Sequence, residues 1–316
     1  MFKGTAFALA ACFIWGLIFI VPQYMAGFSP IEIIIARYSL YGIVSFFIFL
    51  KARSRGDCRY HKATWIKALS LSVFSTTGYY IFVILALRYS TPVICALILG
   101  LSPITITFYG NWKQKEVTFR SLIVPSFLVL LGLIVINAPH LMESDSPATH
   151  ALGLFCALLA LASWSYYVVI NSKFLKQNPQ IHPSDWSTLI GVTSLFWVGL
   201  FTVFLGIFSN QDINFSKYTT LNIELISFLI GIVILGILCS WVGGFLWNKA
   251  SLYLPVSLAG QLMIFETIFG VLFVYILKQD MPPLMESIGI GLLLVAIVYS
   301  LRQFSRRKAY SFISSE

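Results

Sequence analysis

The chain reads as ten long apolar stretches separated by short polar breaks. They cover roughly residues 4–22, 30–50, 64–87, 90–110, 120–138, 151–172, 184–208, 224–248, 254–277 and 284–303. A helix needs ~20 residues to cross the ~30 Å hydrocarbon core, and each stretch is about that long. The ~10-residue segments of alternating polarity that mark an outer-membrane barrel are missing. The pattern therefore predicts an all-α membrane protein of ten transmembrane helices. Ten such helices use about 200 of the 316 residues, which leaves loops and tails too short for a soluble domain.

Composition sharpens this reading. Hydrophobic residues make up 58% of the chain and charged residues 10%, with a mean hydropathy of +0.86. A soluble domain carries about 25% charged residues. A soluble enzyme, a disordered chain and a disulfide-stapled secreted domain are excluded. The net charge of +9 does not point to nucleic acid, because its distribution has another cause. With the N-terminus placed in the cytoplasm, all but four of the 21 basic residues fall on the inner side. Six of them crowd the 51–67 loop, and four more lie in the 302–308 segment. Arg88, Lys217 and Lys278 fall outside, and Arg37 lies within a span. This is the positive-inside bias. It predicts a multi-pass protein of the bacterial inner (plasma) membrane with both termini cytoplasmic.

Cysteines and histidines add no chemistry. Cys12, Cys95, Cys156 and Cys239 sit within spans, where a free thiol behaves as a small hydrophobe. Cys58 is in the basic loop, and no CxxC pair exists. His61, His140, His150 and His182 fall in unrelated loops, so no metal site is expected. Leu9-Ala10-Ala11-Cys12 resembles a lipoprotein cleavage box, but the apolar run continues to Val21 and reads as a span rather than a signal peptide.

The halves share landmarks. Gly4 and Trp15 correspond to Gly153 and Trp164 at a shift of 149, and Pro30 and Glu32 to Pro183 and Asp185 at 153. Ala86, Tyr89 and Glu116 correspond to Ala250, Tyr253 and Asp280 at 164. Five spans per half is an odd number, so the second copy runs inverted. Inverted repeats are a plan of many secondary transporters, with the substrate site near the midplane between them. The expected halves are 1–138 and 151–303, joined by an external linker at 139–150 and followed by a basic cytoplasmic tail at 304–316.

These residues carry a family likeness. Trp15-Gly16, Ala36-Arg37-Tyr38, the run Ala86 to Ser90, Ser102-Pro103 and Glu116 occur in order in the first half. Trp164, Ala250 to Tyr253, Glu266 and Gly289 follow in the second. In this order the chain resembles the ten-helix, EamA-like transporters of the drug/metabolite transporter superfamily. Thr267 departs from the Pro that often follows this Glu in the family, and Asp280 from its usual second Glu. The resemblance implies export or exchange of amino acids, other small metabolites or drugs.

Glu266 is the leading chemical candidate, because a charge mid-span costs ~2.5–3.5 kcal/mol and normally faces a cavity or a partner. It fits a proton carrier or an anchor for a substrate amine; the structural alternative is an acid tied to a neighbouring helix. Gln261 precedes it by five positions. Arg37 fits a bidentate hold on a carboxylate, an ion pair with Glu266, or snorkelling to the surface. The resemblance implies that Trp15, Tyr79, Tyr80, Trp164, Trp241 and Trp247 lie in or near the repeat interior, which makes them candidates for an aromatic wall, against ordinary core packing. Gly100, Pro103, Gly243 and Gly244 interrupt apolar helices and suit bending or close packing. Asn171 and Asn248 suit a hydrogen-bonded gate. Ser29-Pro30-Ile31-Glu32 reads as a capping box, and Asp185 as a weaker cap.

The leading expectation is a secondary transporter of a small organic metabolite (amino acid, amine or drug-like solute), working by alternating access and exporting it. Uptake or exchange, adenosyl-metabolite exchange included, is the alternative. An intramembrane lipid or prenyl transferase is the different class; the absence of HExxH, GxSxG and acidic diphosphate-binding clusters disfavours it. No catalytic residue and no cofactor are expected. The expected partners are the bilayer and a small-molecule substrate, with protons and a homodimer left open and no nucleic acid.

Overall fold

A computed structural model describes residues 1–55, 60–90, 92–137, 147–208, 218–219 and 221–313, with side chains given except at 92–94, 147–150, 208 and 305–313. Cys58, His140, Lys217 and the 139–146 part of the linker lie outside the described residues, as do the side chains of His150 and of the tail.

Ten helices are long and apolar enough to cross a membrane: Phe2–Met25, Pro30–Ser54, Lys62–Tyr89, Cys95–Gln114, Phe119–Asn137, Ala151–Gln177, Pro183–Ile207, Ile223–Tyr253, Val256–Lys278 and Leu284–Phe304. They are spans 1 to 10 below, and each overlaps one apolar stretch of the sequence. Five are not regular. Span 3 is interrupted at Thr76. Span 1 unwinds into 3-10 turns at Leu17–Phe19 and Val21–Met25. Span 4 is interrupted at Leu101, between Gly100 and Ser102. Span 9 is interrupted at Met263. Span 8 is π-helical over Ile234–Val242. Such breaks are tolerated at membrane depth where protein or a cavity surrounds them.

The ten helices are two inverted five-helix repeats, and the packing shows it. Span 2 lies on span 7, span 4 on span 9 and span 5 on span 10. Span 3 lies on span 6 as span 8 lies on span 1. Exchanging the halves returns the same set of neighbours. Single residues repeat the pattern. Gly4 packs against Tyr253 and Leu254, and its counterpart Gly153 against Tyr89 and Ser90. Each glycine brings a helix end of one half against the other half, where a side chain would collide.

The acids that open spans 2 and 7 behave alike as well. Ser29 and Glu32 form the expected capping box, with Ser29 N donating to Glu32 Oε2 at 2.6 Å and Glu32 N to Ser29 Oγ at 3.2 Å. Glu32 also accepts from Tyr218 OH at 2.9 Å. Burial and the neighbouring carboxylate push the Tyr218 phenol up to about 12, which keeps the proton on the donor. Asp185 is no backbone cap. Its carboxylate accepts from Tyr60 OH at 2.8 Å and from Ser184 Oγ at 3.1 Å. The two tyrosine–carboxylate bonds, Tyr60–Asp185 and Tyr218–Glu32, are repeat counterparts, and each ties one half to the other.

Spans 2 and 7 approach most closely at glycines. A Cβ on Gly191 would overlap Ser45 Oγ and come within 2.8 Å of Tyr41 Cε2. Gly199, two turns on, has nothing within 4 Å. Gly191→Ala should lower the melting temperature of the detergent-solubilised protein, at a cost of about 1–3 kcal/mol for overpacking. Gly199→Ala should cause no loss. Equal melting curves for the two variants would contradict this packing.

Candidate functional site

A cavity of about 780 Å³ lies between the halves. Its wall runs from Leu87, Asn137 and Val271, near one set of span ends, down to Ser187 and Asn248. Aromatic rings form much of it. Trp15 and Trp164, the repeat counterparts, meet edge-on with centroids 5.9 Å apart. Trp164 also packs on Tyr79 at 5.6 Å, and Trp15 on Trp247 at 5.4 Å. Such faces attract cations and apolar groups alike.

Arg37 enters from span 2. Its Nε donates to Ser240 Oγ at 3.0 Å and its Nη1 to Tyr80 OH at 2.8 Å. The guanidinium also lies 5.2 Å from the centroid of Tyr38 and 5.4 Å from that of Tyr80. Ser240 in turn donates to Leu235 O, five residues back, as the π-helical stretch allows. These bonds hold a cation inside the span without an ion pair. Nη2 has no hydrogen-bond partner among the described residues, so a face of the fork remains for a ligand.

Glu266 enters from span 9, one turn beyond the break at Met263, where its N–H caps back to Met263 O at 2.9 Å. Its side chain lines the same cavity. Among the described residues its carboxyl accepts no hydrogen bond, and the ion pair within 4.0 Å is Lys176–Glu116 rather than Arg37–Glu266. The Arg37–Glu266 lock considered from the sequence is therefore not formed; Ser240 and Tyr80 hold the guanidinium instead.

Below the rings the cavity ends on a buried polar chain. Trp186 Nε1 donates to Asn171 Oδ1 at 2.6 Å, Asn171 Nδ2 to Asn248 Oδ1 at 2.8 Å, and Asn248 Nδ2 to Ser187 Oγ at 2.8 Å. Spans 6, 7 and 8 are joined there, and all four side chains are buried.

Trp15, Arg37, Tyr79, Tyr80, Trp164, Glu266, Gly100, Pro103 and Gly244 thus line one cavity. Trp241, Gln261 and Gly243 lie outside its wall. Trp241 donates to Thr188 Oγ1 at 3.1 Å and stacks on Phe245. Gly243 sits beneath Trp15, where a Cβ would press on the indole nitrogen. Gln261 belongs to the piece of span 9 before the break, all of which is buried. Its amide has no hydrogen-bond partner among the described residues. Sequence reasoning missed Tyr38, Ser187 and Ser240. Tyr38 and Ser240 hold Arg37, and the need of a membrane-buried arginine for partners was the one available signal.

Comparison with known proteins agrees with this architecture. The chain matches the EamA-like transporter family over residues 2–138 and 151–302 and belongs to that family. It is 29% identical over 312 residues to the inner membrane protein YtfF of Escherichia coli (strain K12), covering 96% of each chain. It is 25% identical over 248 residues to an uncharacterized transporter of Archaeoglobus fulgidus, covering 78% of each. With the uncharacterized transporter YyaM of Bacillus subtilis (strain 168) it shares 23% over 190 residues, 59% of this chain and 61% of that one. A solved crystal structure 16% identical in sequence has the same fold, with a TM-score of 0.75 over 94% of this chain and 98% of its own.

Asn248→Ala should strand Asn171 Nδ2 and Ser187 Oγ. An unsatisfied buried polar group costs about 1–3 kcal/mol, so thermal unfolding should shift down clearly. An unshifted melting curve would mean that the chain carries little of the closure.

Proposed function

We propose that this chain is a secondary transporter that moves a small organic solute across the bacterial inner membrane by alternating access, in the direction of export. One observation supports this above the others. A guanidinium from the first half and an unbonded carboxyl from the second face a single aromatic-walled cavity between inverted repeats. Such a cavity suits a solute with a charged group and an apolar or aromatic body. Arg37, already holding Tyr80 and Ser240, orients the aromatic shelf and offers its remaining fork edge to an anionic group. Glu266 takes a substrate amine, or a proton, in a place where water competes little. Trp15, Trp164, Tyr79 and Tyr80 give the solute its apolar contacts.

Orientation follows from the charges. With the 51–67 and 302–308 basic clusters inside, both termini are cytoplasmic, the 139–150 linker is external and the 304–316 tail is internal. The repeats are then 1–138 and 151–303. The cavity reaches toward the outer face at Leu87 and Asn137 and is shut on the inner side by the Asn171–Asn248 chain. Protons are the proposed coupling ion if Glu266 titrates during the cycle.

Counterflow tests this reading without assuming a driving force. Proteoliposomes are preloaded with amino acids, polyamines, adenosyl metabolites or cationic dyes and exposed to each in labelled form. The expected result is saturable uptake of at least one class. Glu266→Gln should lower that rate by roughly tenfold or more, the worth of one bond to a charged group. Unchanged rate, affinity and pH profile in Glu266→Gln would remove Glu266 from the mechanism.

A further inference from the structure

The carboxylate after span 4 does more than end a helix. Glu116 Oε1 accepts from Val256 N at 2.7 Å, and its Oε2 from Ser257 N at 2.8 Å and Ser257 Oγ at 2.6 Å. It thereby caps the first turn of span 9 from outside that span. Lys176 Nζ, at the end of span 6, stands 3.9 Å away. Thr107 Oγ1 adds a bond to Ser257 O at 3.0 Å. Gly110 packs on Val256, and Gly260 on Ile106 and Thr107. The end of span 4 and the start of span 9 are clamped together, and every residue of Val256–Leu262 is buried.

The repeat places a second acid in the inverted position. Lys115 and Gln279 are the positive-φ non-glycine residues among those described, at 49° and 55°, and they are 164 positions apart. Each ends its helix in the left-handed conformation, and each is followed by an acid, Glu116 or Asp280. Each acid also stands 24 positions after the first residue of the helix that leads into its span, Pro92–Gly100 (92 to 116) or Val256–Leu262 (256 to 280). By the inversion, the end of span 9 is the counterpart of the end of span 4, and the start of span 4 that of the start of span 9. Val256–Leu262 packs closely on Ser102–Gln114, while no comparable packing joins Pro92–Gly100 to Ile264–Lys278 among the described residues. Asp280 is exposed, and among the described residues its carboxylate accepts only from its neighbour Met281 N, at 2.9 Å. At that end Cys95, Ala96, Leu99 and Gly100 of span 4 line the cavity instead of being clamped. The backbone geometry is duplicated; the clamp is formed at one end.

We propose that Glu116 and Asp280 are alternating caps that set which end of the cavity is shut. In this structure Glu116 holds the first turn of span 9. When the cavity turns over, that cap releases and Asp280 takes the first turn of span 4. The two acids are positioning residues that touch no substrate, and the proposal rests on the alternating-access reading above.

Hydrogen exchange with mass spectrometry on the purified full-length protein tests this without any substrate. Exchange at Val256–Leu262 reports excursions to the state in which that turn is unclamped. Asp280→Ala, which leaves no acceptor, should make those excursions rarer and slow exchange there by about fivefold, the usual worth of a cap. Glu116→Gln should speed exchange at Val256–Leu262 and slow it at Pro92–Gly100, and Glu116→Asp should partly restore the original pattern. If Asp280 only caps its own loop, Asp280→Ala raises exchange near Met281 and leaves Val256–Leu262 unchanged, which overturns the proposal. Should Glu116→Gln fail to fold, the exposed Asp280 carries the test alone. Opposed shifts in a protein inactive in counterflow would keep the caps and refute the transport reading; normal counterflow without opposed shifts would do the reverse.

Discussion

An odd number of crossings in each half turns the second half over, and the packing obeys that inversion throughout. Helix ends of one half meet helix ends of the other, and many of these close contacts have a partner at the opposite face. Gly4 against Tyr253 and Gly153 against Tyr89 are one such pair. Tyr218–Glu32 and Tyr60–Asp185 are another. Where contacts are matched, the bundle is locked at both faces. Where they are unmatched, as at Glu116 and Asp280, the two faces differ, and the cavity lies on the looser side.

The hydrocarbon phase explains what fills the middle. Lipid offers no partner to a polar group, so the protein must supply one or leave a cavity. Arg37 is held by a hydroxyl, a phenol and two ring faces. The amides of Asn171 and Asn248 are satisfied by each other, by Trp186 and by Ser187. Glu266 is the exception among the charged side chains of the cavity wall, a carboxyl with no hydrogen bond among the described residues. That exception separates a binding wall from a merely well-packed core.

Much of the fold was legible in the sequence because spans are announced by length and apolarity. The ten stretches and the inverted landmarks needed no side-chain detail. Arg37 and Glu266 were legible for a related reason, since a charge mid-span must face inward. Orientation of uncharged residues was not legible. A helix that is apolar all round gives no stripe from which to read its buried face. Span 8 adds a second obstacle, because its π-helical stretch changes the number of residues per turn and moves later positions around the axis. Ser240 and Gly244 therefore face the cavity while Trp241 turns to Thr188. Gln261 was misplaced by proximity to Glu266, since the break at Met263 separates the buried piece of span 9 from the piece that lines the cavity.

The contact of Trp15 with Trp164 has a consequence for how such a chain can change over generations. Many contacts between the halves join residues that are not counterparts, as Arg37 and Ser240 are not. These two indoles are counterparts that press on one another at the seam. A different ring in either half changes the space left for the other. Descendants of a duplicated half are bound together at this point, so divergence there must come as paired replacements.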